Sequence, residues 1–533
     1  MGLLLLQTSD AQALWWSSLL LGLVPVSLAF YIIHQRYFHP LAGFPGPLWA
    51  SITDLWQVNQ FLSLRQPYNL TELHQKYGEF VRYGPDKLSI IAEEVVPLVY
   101  QKGGRRLPKT EYYDAFGSKI PNVFGMRDVD MHSARRRLMS HSFSLSSVKD
   151  MEHYLDANIN ILCEKIATFA REGTPFDLKK LLQYYIIDVL GELAFSRSFG
   201  AQITGDESLI PPVVPHTLLG STLGAWPSMT QKLKQWLPSV PHKGLQGLFR
   251  GRAKCAALAA QCVQSRLEEV ERGAVSEKGR RTDLLTNLIL ARDPETGQKL
   301  ARQDLEAEAF GFIIAGTHTT SATASLLFWN LLHNPEALHK CVRELDEKLP
   351  PLDDDTKSYS VAEIENSLTF LRTCVKENFR INPVFTMPLA RRVTDPEGLV
   401  IAGRHIKQGT SVAVCNHAFH HNPTVWGKDH LNFDPSRWDD EKTADRARYL
   451  MHFGLGSRQC IGKALAQTNI YKVSSTLLHK FDFQLADPQE QKEVNRGNYQ
   501  GKLPRMVSVG VSDLDGPLMV IAKLRRSNDI SGS

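Results

Sequence analysis

The chain opens on an uncharged apolar run from Ala13 to Ile33. At ~1.5 Å per helical residue this run would span a hydrocarbon core of about 30 Å. Trp15, Trp16 and Tyr31 lie near its ends, where amphipathic rings favour the membrane interface. A cleaved signal peptide would carry a basic residue ahead of a shorter apolar core, and no Lys or Arg precedes Arg36. Residues 1–36 are therefore expected to be a retained anchor, with 37–533 as the catalytic part. Asp10 before the run and Arg36 after it put that part on the cytosolic side by the positive-inside rule. The sequon Asn69-Leu70-Thr71 would then stay unmodified.

His39 to Pro47 contains Pro40, Pro45 and Pro47 with Gly43 and Gly46. It cannot continue a helix and reads as a stiff hinge or an ordinary loop. Short strand-like runs follow at Phe80–Tyr83 and Leu88–Ile91. From Met131 to Arg380 the spacing is mainly helical, as in Tyr154–Arg171, Leu181–Ala194 and Ala253–Glu271. Leu209–Lys243 is rich in Pro and Gly and predicts a long loop with short helices. Gln303–Asn334 predicts one helix of about 32 residues ended by Pro335, far above the usual mean of ~12. Such a helix must cross the middle of a large domain. Val400–Ala402, Ser411–Val414 and Pro517–Ala522 read as strands, and Gly462–His479 as a helix. The class is mostly α with a small β portion.

Of 533 residues, 43% are hydrophobic and 22% charged, enough apolar material for a large core. The formal charge of +5 is a weak excess over this length. It fits a solvated surface, or a basic face for an acidic redox partner or an anionic membrane. No basic run interleaved with aromatics points to nucleic acid. The seven cysteines are scattered, odd in number and without a CxxC pair, which argues against a disulfide framework or a zinc site.

The densest chemistry lies in Phe453-Gly454-Leu455-Gly456-Ser457-Arg458-Gln459-Cys460-Ile461-Gly462. A glycine-punctuated loop delivers one cysteine to the start of a helix, where amide N–H groups and the helix dipole favour a thiolate. Gly456 and Gly462 allow a tight turn and close approach of a flat ligand. Arg458 can pair with a ligand carboxylate. This run resembles the cytochrome P450 signature at every fixed position: Phe453, Gly456, Arg458, Cys460 and Gly462. The resemblance extends over residues 40 to 525 and is closest to microsomal fungal enzymes. It implies a single haem domain after one transmembrane helix, with Cys460 as axial ligand of the iron and Phe453 and Arg458 against the haem.

Further motifs carry the same resemblance. Glu377 and Arg380 match the family's Glu-x-x-Arg pair, and Phe433–Trp438 looks like the loop that supplies a second arginine, here Arg437. These three would be structural residues. His132 and Arg136 keep the spacing of the family's Trp-x-x-x-Arg propionate pair, with His in place of Trp. An imidazole N–H can still donate to a propionate. Arg391 lies where another propionate arginine is usual, and its neighbour Arg392 leaves that choice open.

In the long helix, Ala315-Gly316-Thr317-His318-Thr319-Thr320 matches the family's oxygen-binding motif at all but one position. Thr319 can bond back to the helix or to a guest, opening a notch for dioxygen. His318 stands where an acid is usual; it is either a proton relay or a histidine pointing to solvent. If it is the relay, His318→Asp would restore the family's acid.

The resemblance implies that one atom of O2 enters an unactivated bond of an apolar small molecule, within fungal secondary metabolism, at the endoplasmic reticulum membrane. The chain has no P-loop and no dinucleotide-binding glycine motif. Electrons would come from a separate NADPH-dependent flavoprotein reductase, with Arg135, Arg137 and Lys463 as candidate contacts. A haem-thiolate isomerase or dehydratase working without a reductase, or a non-catalytic haem sensor, are the rival readings. Substrate contacts are expected in Tyr113–Phe124, Leu218–Trp226, Phe312–Ala315, Pro383–Met387 and Val507–Val511.

Overall fold

The computed structural model describes residues 23–101, 107–117, 120–273, 283–352, 358–487 and 503–525. Residues 1–22 of the expected anchor lie outside these. Residues 23–33 are helical and expose Leu23, Val24, Val26, Leu28, Phe30 and Ile33. Among the described residues no helix is long and apolar enough to cross a membrane. The end of this helix is tied to the body: Tyr31 Oη donates to Ile52 O at 2.9 Å, and Arg82 donates to Gln35 O at 2.8 Å. The proline-rich segment is docked as well. Arg82 N donates to Pro45 O at 2.7 Å, and a Cβ at Gly46 would stand 2.1 Å from Arg82 O, so only glycine allows this approach.

The helices that shape the centre are α1 (Val129–Ser140), α2 (Glu152–Glu172), α3 (Leu178–Phe195), α4 (Val213–Gly224), α5 (Lys243–Glu271), α6 (Arg302–Gly316), α7 (His318–His333), α8 (Thr369–Ile381) and α9 (Lys463–Lys480). Their ends follow local chemistry. Asp128 caps α1 through Met131 N at 2.7 Å. Gly173, at φ +64°, ends α2 in the left-handed conformation. Helix α7 is buried nearly throughout, from Thr320 to Leu331, which explains why its sequence shows little amphipathic contrast.

The strands, in chain order, are β1 (Phe80–Gly84), β2 (Lys87–Ile90), β3 (Phe176–Asp177), β4 (Arg391–Arg392), β5 (Leu399–Ile401), β6 (Arg404–Ile406), β7 (Ser411–Ala413), β8 (Phe481–Leu485), β9 (Met506–Ser508), β10 (Ser512–Leu514) and β11 (Met519–Leu524). One sheet runs β1-β2-β7-β4, another β3-β11-β8, and β5/β6 and β9/β10 are hairpins. The β2–β7 pair is parallel and joins residues more than 300 positions apart. One apolar cluster surrounds α3, α6, α7 and α9, and a second lies under the β1-β2-β7 sheet.

Two expectations are corrected. The segment 209–243 is not mainly loop. It contains α4, because Pro212 and Pro215 sit at its N-terminal end, where a missing N–H costs little. Its glycines serve close packing: a Cβ at Gly220 would meet the Phe116 ring at 2.6 Å, and one at Gly224 would meet Tyr112 O at 2.7 Å. The single helix expected over 303–334 is two, α6 and α7, broken at Thr317 with φ −90° and ψ −73°. Thr317 Oγ1 donates to Ile313 O at 3.0 Å and Thr319 Oγ1 to Ala315 O at 2.7 Å. Hydroxyls that compete for helix carbonyls bend the helix at that point.

Candidate active site

The cysteine loop is built from its own backbone. Gly454 N donates to Met451 O at 2.8 Å, Gln459 N to Gly456 O at 3.0 Å, and Cys460 N to Phe453 O at 2.8 Å. Gly456 has φ +66°, and a Cβ there would come within 2.1 Å of Tyr100 O; turn and close approach both exclude a side chain. Phe453 stands edge-on to Phe379 of α8 at 5.2 Å. Six of the seven cysteines are buried, and only Cys460 has an accessible surface. The Gly462 N–H, Arg136 and Lys463 stand close to its sulfur and favour the thiolate.

Beside the cysteine lies a group of basic side chains. Arg136 donates to Gln459 O at 2.6 Å, so α1 grips the loop directly. Arg458 reaches back to Met126 O at 2.7 Å and Arg127 O at 3.1 Å. His132 is buried and held to a pKa of about 3 by burial, then by Arg458, Lys109, Arg136 and Arg391; it is a neutral imidazole. Burial lowers Arg458 to about 10, with Arg391 adding to it. Arg391 donates to Tyr113 Oη at 3.0 Å. Its neighbour Arg392 is spent on Asp86 and Glu111, both at 2.5 Å, so Arg391 is the one that joins the group.

Lys109 is the member the sequence reading missed. It pairs with Arg391 across an isolated bridge, donates to Phe124 O, and lies over the Tyr113 ring at 4.6 Å. Burial puts its pKa well below the usual lysine value, and Arg391, Arg458 and Arg136 push the same way. A lone lysine outside any periodic element carried no sequence signal. What marks it is the like charge that the fold gathers around it.

The glutamate–arginine motif is a buried hub. Arg380 donates to Glu377 through Nε at 3.0 Å and Nη2 at 2.7 Å. Arg437 Nε reaches the same carboxylate at 3.0 Å. Trp438 Nε1 adds a bond at 3.1 Å that the motif did not foretell. Arg380 also fastens the carbonyls of His420, His430 and Asn432.

Residues Thr319 and His318 diverge. Thr319 shares a face with Ala315, one turn earlier, and both keep accessible surface. His318 is buried and turns instead toward β10, with Nε2 3.3 Å from Asp513 Oδ2. The solvent-pointing alternative does not hold. Arg135 is also corrected as a surface contact: it is buried and paired with Glu308 at 2.8 Å and Asp304 at 2.5 Å. Burial raises Glu308 to about 7, with Arg135 opposing.

Four of the five expected substrate segments meet through ring contacts and hydrogen bonds, and Asn122 of the first lies against Gly311, just ahead of the fifth. Phe124 contacts Tyr113, Phe116 and Phe385 at centroid distances of 5.4, 5.6 and 6.1 Å. Ser221 donates to Val509 O at 2.8 Å, and Met387 N to Gly510 O at 2.9 Å. A Cβ at Gly311, next to Phe312, would stand 2.8 Å from Asn122 Nδ2. Phe312 itself packs on Phe143 at 5.7 Å.

The sequence profile of the family described as Cytochrome P450 matches residues 45–508. The chain belongs to the cytochrome P450 family. It is 32% identical over 479 residues to a cytochrome P450 monooxygenase of Aspergillus terreus, covering 86% of this chain and 93% of that one. A cytochrome P450 monooxygenase of Penicillium aethiopicum is 31% identical, covering 88% and 94%. A benzoate 4-monooxygenase of Aspergillus niger is 28% identical, covering 89% and 94%. As a P450 the protein is a monooxygenase, an oxidoreductase that carries thiolate-ligated haem and works with O2, a substrate and a redox-partner reductase. The residues present fit that cofactor. Cys460 offers an exposed sulfur, and Lys109, Arg136, Arg391 and Arg458 offer a basic wall suited to two carboxylates, with the neutral His132 as a further N–H donor.

Proposed function

We propose that this P450 oxidises an apolar, aromatic-bearing small molecule in fungal secondary metabolism. It is anchored to the endoplasmic reticulum membrane by a single N-terminal span, with the catalytic part in the cytosol. The observation that carries the reading is the pairing of one exposed, loop-held Cys460 with the basic side chains of Lys109, Arg136, Arg391 and Arg458 gathered beside it. Cys460 would hold the haem iron through its sulfur, and the haem would supply the oxygen-activating chemistry. Lys109, Arg136, Arg391 and Arg458 would orient it through its carboxylates, with His132 donating an N–H. Phe453 would pack beside the loop. Thr319 and His318 would serve proton delivery.

The aromatic wall of Tyr113, Phe116, Phe124 and Phe385 supports a flat hydrophobic substrate, since edge-to-face contacts reward aromatic guests. One relative is named for benzoate, an aromatic compound. The anchor is supported by the exposed apolar surface of residues 23–33 and by the uncharged run before it. Electrons from NADPH would come through a separate membrane-bound flavoprotein reductase, with Arg137 and Lys463 on the docking face.

The test is spectral and kinetic. The reduced carbon-monoxide complex of the full-length protein is expected to show the red-shifted Soret band of thiolate ligation, and Cys460→Ala is expected to lose it. A variant that keeps the band refutes the ligand assignment. Turnover without NADPH and reductase would instead establish a haem-thiolate isomerase or dehydratase.

A further inference from the structure

The turn that carries Phe124 of the aromatic wall also presents a polar group with no task in the fold. Asn122 is buried, and its carboxamide is oriented by its own turn. Oδ1 accepts from Gly125 N at 3.0 Å, and Asn122 O accepts from Met126 N at 2.9 Å. Only the oxygen of a carboxamide can take an N–H, so the N–H2 end faces away from the turn. There it lies against α6: a Cβ at Gly311 would stand 2.8 Å from Asn122 Nδ2 and 3.4 Å from Cγ. The next residue ties the turn to the same helix, since Val123 N donates to Glu308 Oε1 at 3.0 Å. Gly311 precedes Ala315 by one turn, and Ala315 O accepts from Thr319 Oγ1 at 2.7 Å. Positions four apart share a helix face, so Nδ2 lies over the face that continues to Ala315 and Thr319. No group among the described residues accepts from Nδ2, and it is not one of the sealed polar atoms of the interior.

We propose that Asn122 is a specificity-determining residue, and that the substrate carries an oxygen acceptor, such as a ketone or an ether, which takes the Nδ2–H. The inference deepens the aromatic-substrate reading and rests on it: the ring packs on the wall around Phe124 while the oxygen is held over Gly311. A hydrocarbon guest would bury this N–H without an acceptor, which is costly, whereas an oxygen at that point removes the cost. A fixed donor rejects the analogue lacking the acceptor more sharply than shape alone can. The donor is also set in advance, because bonds from the Val123, Gly125 and Met126 amides hold its turn, so little ordering entropy is lost on binding. Gly311 completes the arrangement. Glycine is a poor residue inside a helix, but here any Cβ would push the carboxamide from its place. Neither residue belongs to a sequence motif; the fold brings an irregular segment over one helix glycine.

The test titrates the haem-loaded full chain in detergent with two probes of nearly equal shape, tetralone, which has a ketone oxygen, and tetralin, which has none. The Soret shift gives a Kd for each. Their ratio is compared between wild type and variant, so that the different hydration of the two probes cancels. Asn122→Asp keeps an oxygen for the Gly125 N–H but has no donor left for the guest. It is expected to raise the ratio of the tetralone Kd to the tetralin Kd about three- to tenfold, as loss of one hydrogen bond should. Damage to the loop alone would weaken both probes and leave the ratio where it was. A ratio unchanged in Asn122→Asp therefore overturns the role of Asn122 and leaves the aromatic reading standing. A wild type whose Soret band responds to neither probe overturns the aromatic reading and the anchor with it. If Asn122→Asp fails to load haem, Gly311→Ala decides, since it displaces the carboxamide and keeps its turn. The same rise in the ratio supports the anchor, and no rise overturns it.

Discussion

Replacing Glu377 by Gln tests how the buried hub supports the cysteine loop. The carboxylate accepts from Arg380 twice, from Arg437, from Trp438 and from Asp434 N at 3.2 Å. Glu377 and Arg380 have no accessible surface. Glutamine keeps the shape but removes the charge, leaves two guanidinium groups buried without a counter-ion, and turns an N–H2 toward donors. Breaking a buried pair by removing one partner costs about 3–5 kcal/mol, a large fraction of the ~5–15 kcal/mol typical of a folded protein. The damage should reach the site, because Phe379, between the two motif residues, stacks on His452 at 3.9 Å and meets Phe453 at 5.2 Å. Urea unfolding followed by far-UV circular dichroism, with Soret absorbance in parallel, is expected to show this loss and earlier haem release. Glu306→Gln is the control: its pair with Arg302 spans one helix turn at 2.8 Å on the surface, and such pairs are worth about 0.3–0.5 kcal/mol. A loss below about 1 kcal/mol in Glu377→Gln, or equal losses in the two variants, would refute the argument.

Arg135→Leu should cost about 3 kcal/mol by stranding Glu308 while leaving reductase affinity unchanged. Arg137→Glu should do the reverse, and reductase titration beside thermal unfolding separates the two. Acid should destabilise the fold through its buried imidazoles. Burial first of all lowers His74 to about 4, and His216, His417 and His420 to about 3. The unfolded chain therefore binds protons near pH 6.5 that the folded chain refuses. Stability should fall from pH 6.5 toward 3–4, at up to about 1.4 kcal/mol per histidine per pH unit, and a flat profile between pH 6.5 and 4.5 would count against it. Removing residues 1–36 should release the protein from membranes while leaving the carbon-monoxide band unchanged, as fractionation with and without detergent would show.

What the sequence determined is local. The strands β1, β2 and β7, the helices α2, α3 and α9, and the glycine-punctuated cysteine loop follow from periodicity, breakers and short-range spacing, which act over a few residues. The pairing of Glu377 with Arg380 was legible for the same reason, since positions three apart share a helix face. Tertiary structure decided what depends on neighbours from elsewhere in the chain. The glycines of α4 read as loop formers because nothing local shows the Tyr112 and Phe116 rings they accommodate. The break at Thr317 depends on hydroxyls choosing helix carbonyls over other partners. Arg135 looked like a surface charge until Asp304 and Glu308 closed over it. Lys109, and Asp513 opposite His318, are brought to their places across hundreds of residues. Their chemistry comes from the charge gathered around them, a property of the folded interior that no local spacing encodes.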